Sequence, residues 1–294
     1  MGAGTAEMNY ESYKKEGLLK QTWQGLRKNR LAMFGFGLLV ISLLAAVFAN
    51  VIAPYPEEAQ DLTASFQPPS AQHFFGTDEY GRDIFSRLIY GSRISIAIGA
   101  VAATLSALIG IVIGSLAGFY GGKVDNVLMR LIDIMMAIPS TLLGISIVAA
   151  LGNGIRNVII AVAIGAVPSY ARIVKASILS VKEQEFVEAA RANGASDFHI
   201  IFHHILPNCL APIIVQITMG VAKAILEASA LSFIGLGVQP PSAEWGAMLS
   251  AGRAYIRRAW WIVTFPGLAL AMLIFGLNLF GDGLRDALDP RLKT

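Results

Sequence analysis

The sequence predicts an all-α, polytopic membrane bundle of six transmembrane helices. Hydrophobic residues make up 55% of the 294-residue chain and charged residues only 15%, with a mean hydropathy of +0.59. So few charges do not cover the surface of a soluble domain of this size. Several apolar runs reach the roughly 20 residues that cross about 30 Å of hydrocarbon. An isoelectric point near 9.0 fits an excess of Lys and Arg on the cytoplasmic side of a membrane, and is no argument for nucleic acid. Cys209 is the single cysteine, which excludes an internal disulfide and a multi-cysteine metal or iron–sulfur site within one chain.

Residues 1–30 form a polar N-terminal segment. Lys14, Lys15, Lys20, Arg27, Lys28 and Arg30 outnumber Glu7, Glu11 and Glu16, which predicts a cytoplasmic N-terminus. Leu18, Leu19, Trp23 and Leu26 recur at helical spacing, as in a helix lying on the membrane face or leading into the first span. That span is expected at 31–53. Its run is longer than a signal-peptide core, and Ala53-Pro54-Tyr55-Pro56 follows it in place of a small-residue cleavage site. Residues 54–92 are broken by Pro54, Pro56, Pro68 and Pro69, and their acids outnumber their bases, which suits an external loop. A five-helix core is expected over 93–282.

Within that core the second span is placed at about 94–119. There Ala102, Ser106, Gly110, Gly114 and Gly118 fall every four residues, a stripe that lets another backbone come close. Spans three, four, five and six are placed at about 125–151, 157–179, 208–234 and 260–280, with a tail over 283–294. Six spans put the N-terminus, the C-terminus and a polar hairpin at 180–207 on the same, cytoplasmic side. Arg172, Lys175, Lys182 and Arg191 support this, whereas Arg253, Arg257 and Arg258 in the loop 235–258 count against it.

The hairpin carries the strongest functional signal. Gln184–Asn193 favours helix, Gly194 can take the left-handed conformation that ends one, and Ser196-Asp197 can start a second at about 198–206. Pro207 is expected to punctuate the start of span five. Glu188 offers a charge, and Ala189 and Ala190 permit close contact with a partner. An ordinary solvated loop would account for the same residues.

Glu188-Ala189-Ala190, Gly194 and Ile205-Leu206-Pro207 resemble the cytoplasmic "EAA" loop of the integral-membrane subunits of bacterial ABC importers. The pattern departs at His204, where the family has isoleucine. Further stretches are similar to the C-type permease subunits of dipeptide and oligopeptide importers. They are Phe75-Gly76-Thr77-Asp78, Gly81-Arg82-Asp83, Ser86-Arg87, Leu231 to Pro241, Glu244-Trp245-Gly246, Trp260-Trp261, Thr264 to Gly267 and Gly281 to Pro290.

The resemblance implies a type I ABC importer permease fold in the bacterial inner membrane. It implies a non-catalytic subunit that works by alternating access. Glu188, Ala189, Ala190, Gly194, Leu206 and Pro207 would dock into a separate ATPase subunit. The partners would be a second homologous permease, two ATPases that bind ATP and Mg, and an extracytoplasmic solute-binding protein. The substrate would be di- or oligopeptides, with nickel chelates, glutathione or another small solute as the alternative. No cofactor is expected in this chain, which has no GxxxxGK[ST] phosphate loop.

An autonomous secondary transporter would commonly show internal repeats, and none is visible. An intramembrane enzyme would need a metal motif or a nucleophile–base pair. His199 and His203 lie four apart without an HExxH, which reads as surface histidines on a helix. Among charges inside spans, Arg130 with Asp133 and Lys223 with Glu227 are spaced to pair on one helix face. Pro139, Pro168, Pro212 and Pro266 are expected to bend their helices.

Overall fold

The structure is a computed structural model that describes residues 18–288. Lys14, Lys15, the acids at 7, 11 and 16, and the tail from 289 lie outside the described residues, as do the side chains of Leu18 and Leu19. Among the described residues the regular structure is helical, apart from one bridge between Thr77 and Asp83.

Helices α1 (Leu18–Lys28) and α2 (Arg30–Val47) are separated by Asn29. Its Oδ1 accepts from the Leu31 and Ala32 amides, both at 3.1 Å, and starts the span as an N-cap. A short α3 (Ala49–Ile52) extends that span to the expected boundary. Helix α4 (Ile84–Tyr120) starts ten residues before the expected Ile94. Asp83 caps it, accepting from the Ser86 amide and hydroxyl at 2.7 Å each.

The third span is not one rod. Helices α5 (Gly122–Ala137) and α6 (Ser140–Leu151) meet at 90°. Pro139 disfavours helical geometry at the preceding residue, and Ile138 is extended at φ −100°, ψ 127°. Helix α7 (Ile155–Val181) instead carries Pro168 inside it without ending. Helix α8 (Glu185–Ala192) and the short α9 (Asp197–His199) follow. From α9 the chain stays helical through a π turn at Ile200–Ile205 and a tight turn at Leu206–Cys209 into α10 (Leu210–Phe233). Pro207 marks the entry to α10 through the tight turn and does not end the helical course. This proline sits in the first turn of the tight segment, where its missing N–H is tolerated.

Helix α11 (Trp245–Gly252) lies in the second long loop, and α12 (Trp261–Leu288) closes the bundle. It runs past the expected end at 280 and into the expected tail. Gly281 and Gly283 remain helical because they pack closely. A Cβ on Gly281 would lie 2.9 Å from Met219 Cγ, and one on Gly283 would strike Ala32.

With α5 and α6 taken as one bent span, six segments are long and apolar enough to cross a membrane. The ends of α4, α7 and α12 and the start of α10 gather at one end with α1 and the 180–207 hairpin. Residues 53–83 and 234–260 form a cap at the other. Arg258 lies in that cap, 4.3 Å over the Phe66 ring, and Arg253 donates to Phe233 O at 3.3 Å. These two arginines therefore have contacts within the cap.

The most extensive helix contact is between α4 and α7. The small-residue stripe makes it possible, and its partner lies within this chain. Cβ atoms added at Gly114 and Gly118 would lie 2.7 Å from Val174 Cβ and 2.9 Å from Ile178 Cβ. Ser106 Oγ lies 2.6 Å from Ala102 O in its own helix and 3.0 Å from Ala163 O across the contact. Asp125 and Asp133 of α5 reach Lys175 at 2.5 Å and Arg172 at 2.6 Å on α7. Asp133 thus pairs between helices, contrary to the expected Arg130 partner. The side chain best placed to take it comes from another helix, which local spacing does not reveal.

Gly114→Val should overpack this contact. The expected cost is about 1–3 kcal/mol, read as a lower thermal midpoint of the purified chain in detergent; Gly37→Val, where an added Cβ meets open space, is the control that should not move it.

Candidate coupling hairpin

The hairpin is built as helix, glycine bend, helix. Helix α8 ends at Ala192 with Asn193 as its C-cap, and Gly194 follows at φ +79°. The Ala195 amide reaches back to Ala190 O at 3.1 Å, and that of Gly194 to Arg191 O at 3.0 Å. Orphan carbonyls at the helix end are thereby satisfied, as in a glycine-terminated helix. Ser196 caps the second helix, its hydroxyl oxygen accepting from the His199 amide at 3.4 Å.

One face of the hairpin is a small core. Val187, Ile200 and Ile205 are fully buried with Ile178, Val174 and Cys209. Each buried aliphatic side chain contributes about 1.5–3 kcal/mol where it leaves water. Arg191 lies 5.8 Å over the Phe119 ring, which ties α8 to the end of α4. The protrusion is therefore fixed to α4, α7 and α10, and a push on it is a push on three spans.

The six residues singled out from the sequence divide between two faces. Glu188, Ala189, Gly194 and Pro207 are exposed. Ala190 and Leu206 are half-buried and pack against the small core. Sequence reasoning overlooked an aromatic pair on the outer face. Phe198 and Phe202 are 67% and 47% exposed, with ring centroids 4.3 Å apart. Their i,i+4 spacing, out of phase with Ile201 and Ile205, carried that signal. His199 and His203 stack with centroids 4.3 Å apart. Among the described residues no three His, Cys, Asp or Glu side chains cluster to hold a metal.

The remaining motifs converge in the cap at the opposite end. Asp78 accepts from the Arg82 amide at 3.0 Å and from Arg82 Nε at 2.6 Å. Arg87 donates to Glu57 O at 3.0 Å and Pro241 O at 3.2 Å, joining the two loops. Glu244 is buried, accepts from the Gly246 and Ala247 amides at 2.8 Å each, and lies 3.3 Å from Ser95 Oγ and 3.4 Å from Ser229 Oγ. Trp245 Nε1 donates to Leu88 O at 2.9 Å. Gly246 is required there because a Cβ would lie 2.6 Å from Ser229. Burial pushes the Glu79 carboxyl above its usual range, and its Oε2 is buried without a hydrogen-bond partner.

The structure is thus a bent bundle of apolar spans with a braced helical protrusion at one end and a structured cap at the other. The chain matches the binding-protein-dependent transport system inner membrane component family over residues 110–294, and the N-terminal TM domain of oligopeptide transport permease C over residues 17–69. It is 47% identical to the dipeptide transport system permease protein DppC of Alkalihalophilus pseudofirmus, over 94% of this chain and 90% of that one. It is 46% identical to the di/tripeptide transport system permease protein DppC of Pseudomonas aeruginosa, over 94% and 93%. It is also 46% identical to the glutathione transport system permease protein GsiD of Escherichia coli, over 92% and 90%. The fold is similar to that of the MetNI methionine ABC transporter in an inward-facing conformation, with TM-score 0.57, 19% identity, and 70% and 98% of the two chains covered. The chain belongs to the binding-protein-dependent transport system inner membrane component family. It is an ABC importer permease subunit of the type I fold.

Gly194 separates conformation from contact. An added Cβ would meet open space, so Gly194→Val strains only the left-handed backbone, by about 1–2 kcal/mol. Hydrogen exchange at the α8 and α9 amides should speed up by roughly tenfold while exchange in the spans stays unchanged.

Proposed function

We propose that this chain forms half of the translocation pathway of an ATP-driven peptide importer, and that the 180–207 hairpin receives the stroke of a separate ATPase subunit. The observation that carries this is the hairpin itself: an exposed surface braced on three spans. Glu188, Ala189 and Gly194 form the contact with Pro207 at its edge, while Ala190 and Leu206 hold it from behind. Phe198 and Phe202 supply an apolar anchor for a groove on the ATPase. The hairpin and both chain ends face the cytoplasm, and the cap faces outside in the bacterial inner membrane.

The other half of the pathway is a second, homologous permease. Two ATPases bind ATP and Mg, and this chain needs no cofactor of its own. A solute-binding protein docks on the cap at the other end. Di- or tripeptides are the substrate class, supported by relatives named for dipeptide and di/tripeptide transport at 46–47% identity. The glutathione-permease relative at 46% supports a short-peptide alternative.

Closure of the ATPases moves the hairpin as a body. Because α4, α7 and α10 share its core, the movement passes into helices that run to the cap. The bundle then opens outward beneath the binding protein.

Two measurements test this. In a Cys209→Ala background, Ser70→Cys should react with a membrane-impermeant thiol reagent in intact spheroplasts and Glu183→Cys only after lysis; the reverse pattern would overturn the orientation. Phe198→Ala with Phe202→Ala should leave the thermal midpoint within about 2 °C, because both rings are solvent-exposed. The same double variant should lose co-purification with the ATPase and substrate-stimulated ATP hydrolysis. Normal coupling in that variant would remove the docking surface from the account.

A further inference from the structure

Lys223 stands in the middle of α10, ten residues before its end at Phe233, about 15 Å along the axis. That is farther than a lysine side chain reaches, so its ammonium cannot snorkel to the membrane surface. Yet the side chain is 61% exposed. Among the described residues its one ion-pair partner is Glu227, and the contact is loose at 4.0 Å. Glu227 is itself engaged, its Oε1 accepting from the Ser140 hydroxyl at 2.9 Å. The expected Lys223–Glu227 pair therefore exists but leaves most of the ammonium's donor capacity unused.

The surroundings are mainly apolar, from Met219, Ala222, Leu226 and Ile274, with two amide side chains set among them. Lys223 lines a cavity of about 360 Å³ between α10 and α12, together with Gln216, Gly220 and Asn278. Gln216, Gly220 and Lys223 follow one stripe of α10 at spacings of four and three. Asn278 faces them from the middle of α12, ten residues before Leu288, and is exposed. A mid-membrane charge beside two amide side chains does not face lipid; it faces water, a ligand or a partner.

We infer that Lys223 lies on the translocation pathway and takes the carboxylate of the passing peptide, with Gln216 and Asn278 offering neutral hydrogen bonds to its backbone. This rests on the peptide-importer reading above. A fixed positive charge suits a substrate class in which the C-terminal carboxylate is common to every member while the side chains vary. The loose Glu227 contact suits transit, since a tight pair would have to be broken at each passage and a bare charge would hold the anion too strongly.

The test uses the complete importer in proteoliposomes with its binding protein and dialanine as the probe. In a Cys209→Ala background, Lys223→Cys should lower dialanine uptake about tenfold, the worth of one hydrogen-bonded charge. Aminoethylation of the introduced thiol, which rebuilds an ammonium, should restore uptake, and methylthiolation should not. Millimolar dialanine should slow the labelling, and dialaninamide at the same concentration should not. A thiol that never reacts from the aqueous phase, in a complex whose unsubstituted form transports dialanine, would overturn the inference alone and place Lys223 against the second permease. Labelling that both compounds slow equally, or neither slows, would overturn the carboxylate assignment. Absence of dialanine uptake by the unsubstituted complex would instead sink the peptide reading on which the inference rests.

Discussion

The close approach of α4 and α7 is the contact on which the rest of the structure depends. In lipid there is no hydrophobic drive to bring two apolar helices together, so van der Waals fit and hydrogen bonds must do it. Ser106, Gly110, Gly114 and Gly118 remove the side chains that would hold the axes apart, and the Ser106 hydroxyl sits where it can reach both helices. Helix α4 begins at the cap, where Asp83 starts it, and ends beside the hairpin, where Phe119 meets Arg191. Helix α7 runs directly into the hairpin. Locked together, the two helices form a bar between the two ends of the molecule.

Each end then uses water-side chemistry that the bilayer interior does not offer. The hairpin buries Val187, Ile200 and Ile205 against the helix ends, where leaving water is favourable. The cap is held by charges. Asp78 engages Arg82, Arg87 joins two loops through backbone carbonyls, and Glu244 caps α11 beside hydroxyls from α4 and α10. Buried ionic groups of this kind are strongly destabilising to break once formed, because each leaves an uncompensated charge. The family-like stretches around 75–87 and 231–246 therefore have a structural role that requires no contact with substrate.

The charges inside the spans divide by the same physics. Asp125 and Asp133 are met by Lys175 and Arg172 from the neighbouring helix, at 2.5 and 2.6 Å. Lys223 sits at mid-depth with one loose partner. A charge at the centre of a lipid-facing helix costs about 2.5–3.5 kcal/mol on insertion scales, so its placement beside Gln216 and Asn278 belongs to a surface that lipid does not cover.

The sequence by itself determined the class of fold, the apolar segments long enough to cross a membrane, and the glycine-broken hairpin. Those features rest on local quantities: the length of apolar runs, the spacing of small residues, and the backbone preferences of Gly194 and Ser196. Tertiary structure decided the rest. It turned Pro139 into a right-angle bend, kept Pro168 inside a continuous α7, and set Pro207 in a first turn, where its missing N–H is tolerated. It carried α12 through Gly281 and Gly283, residues that read as a tail but are needed for close packing. It gave Asp133 to Arg172 rather than to Arg130, and turned Ala190 and Leu206 inward while leaving Phe198 and Phe202 exposed. Which partner a side chain meets is set by which helices become neighbours, and residue spacing along a single helix does not carry that information.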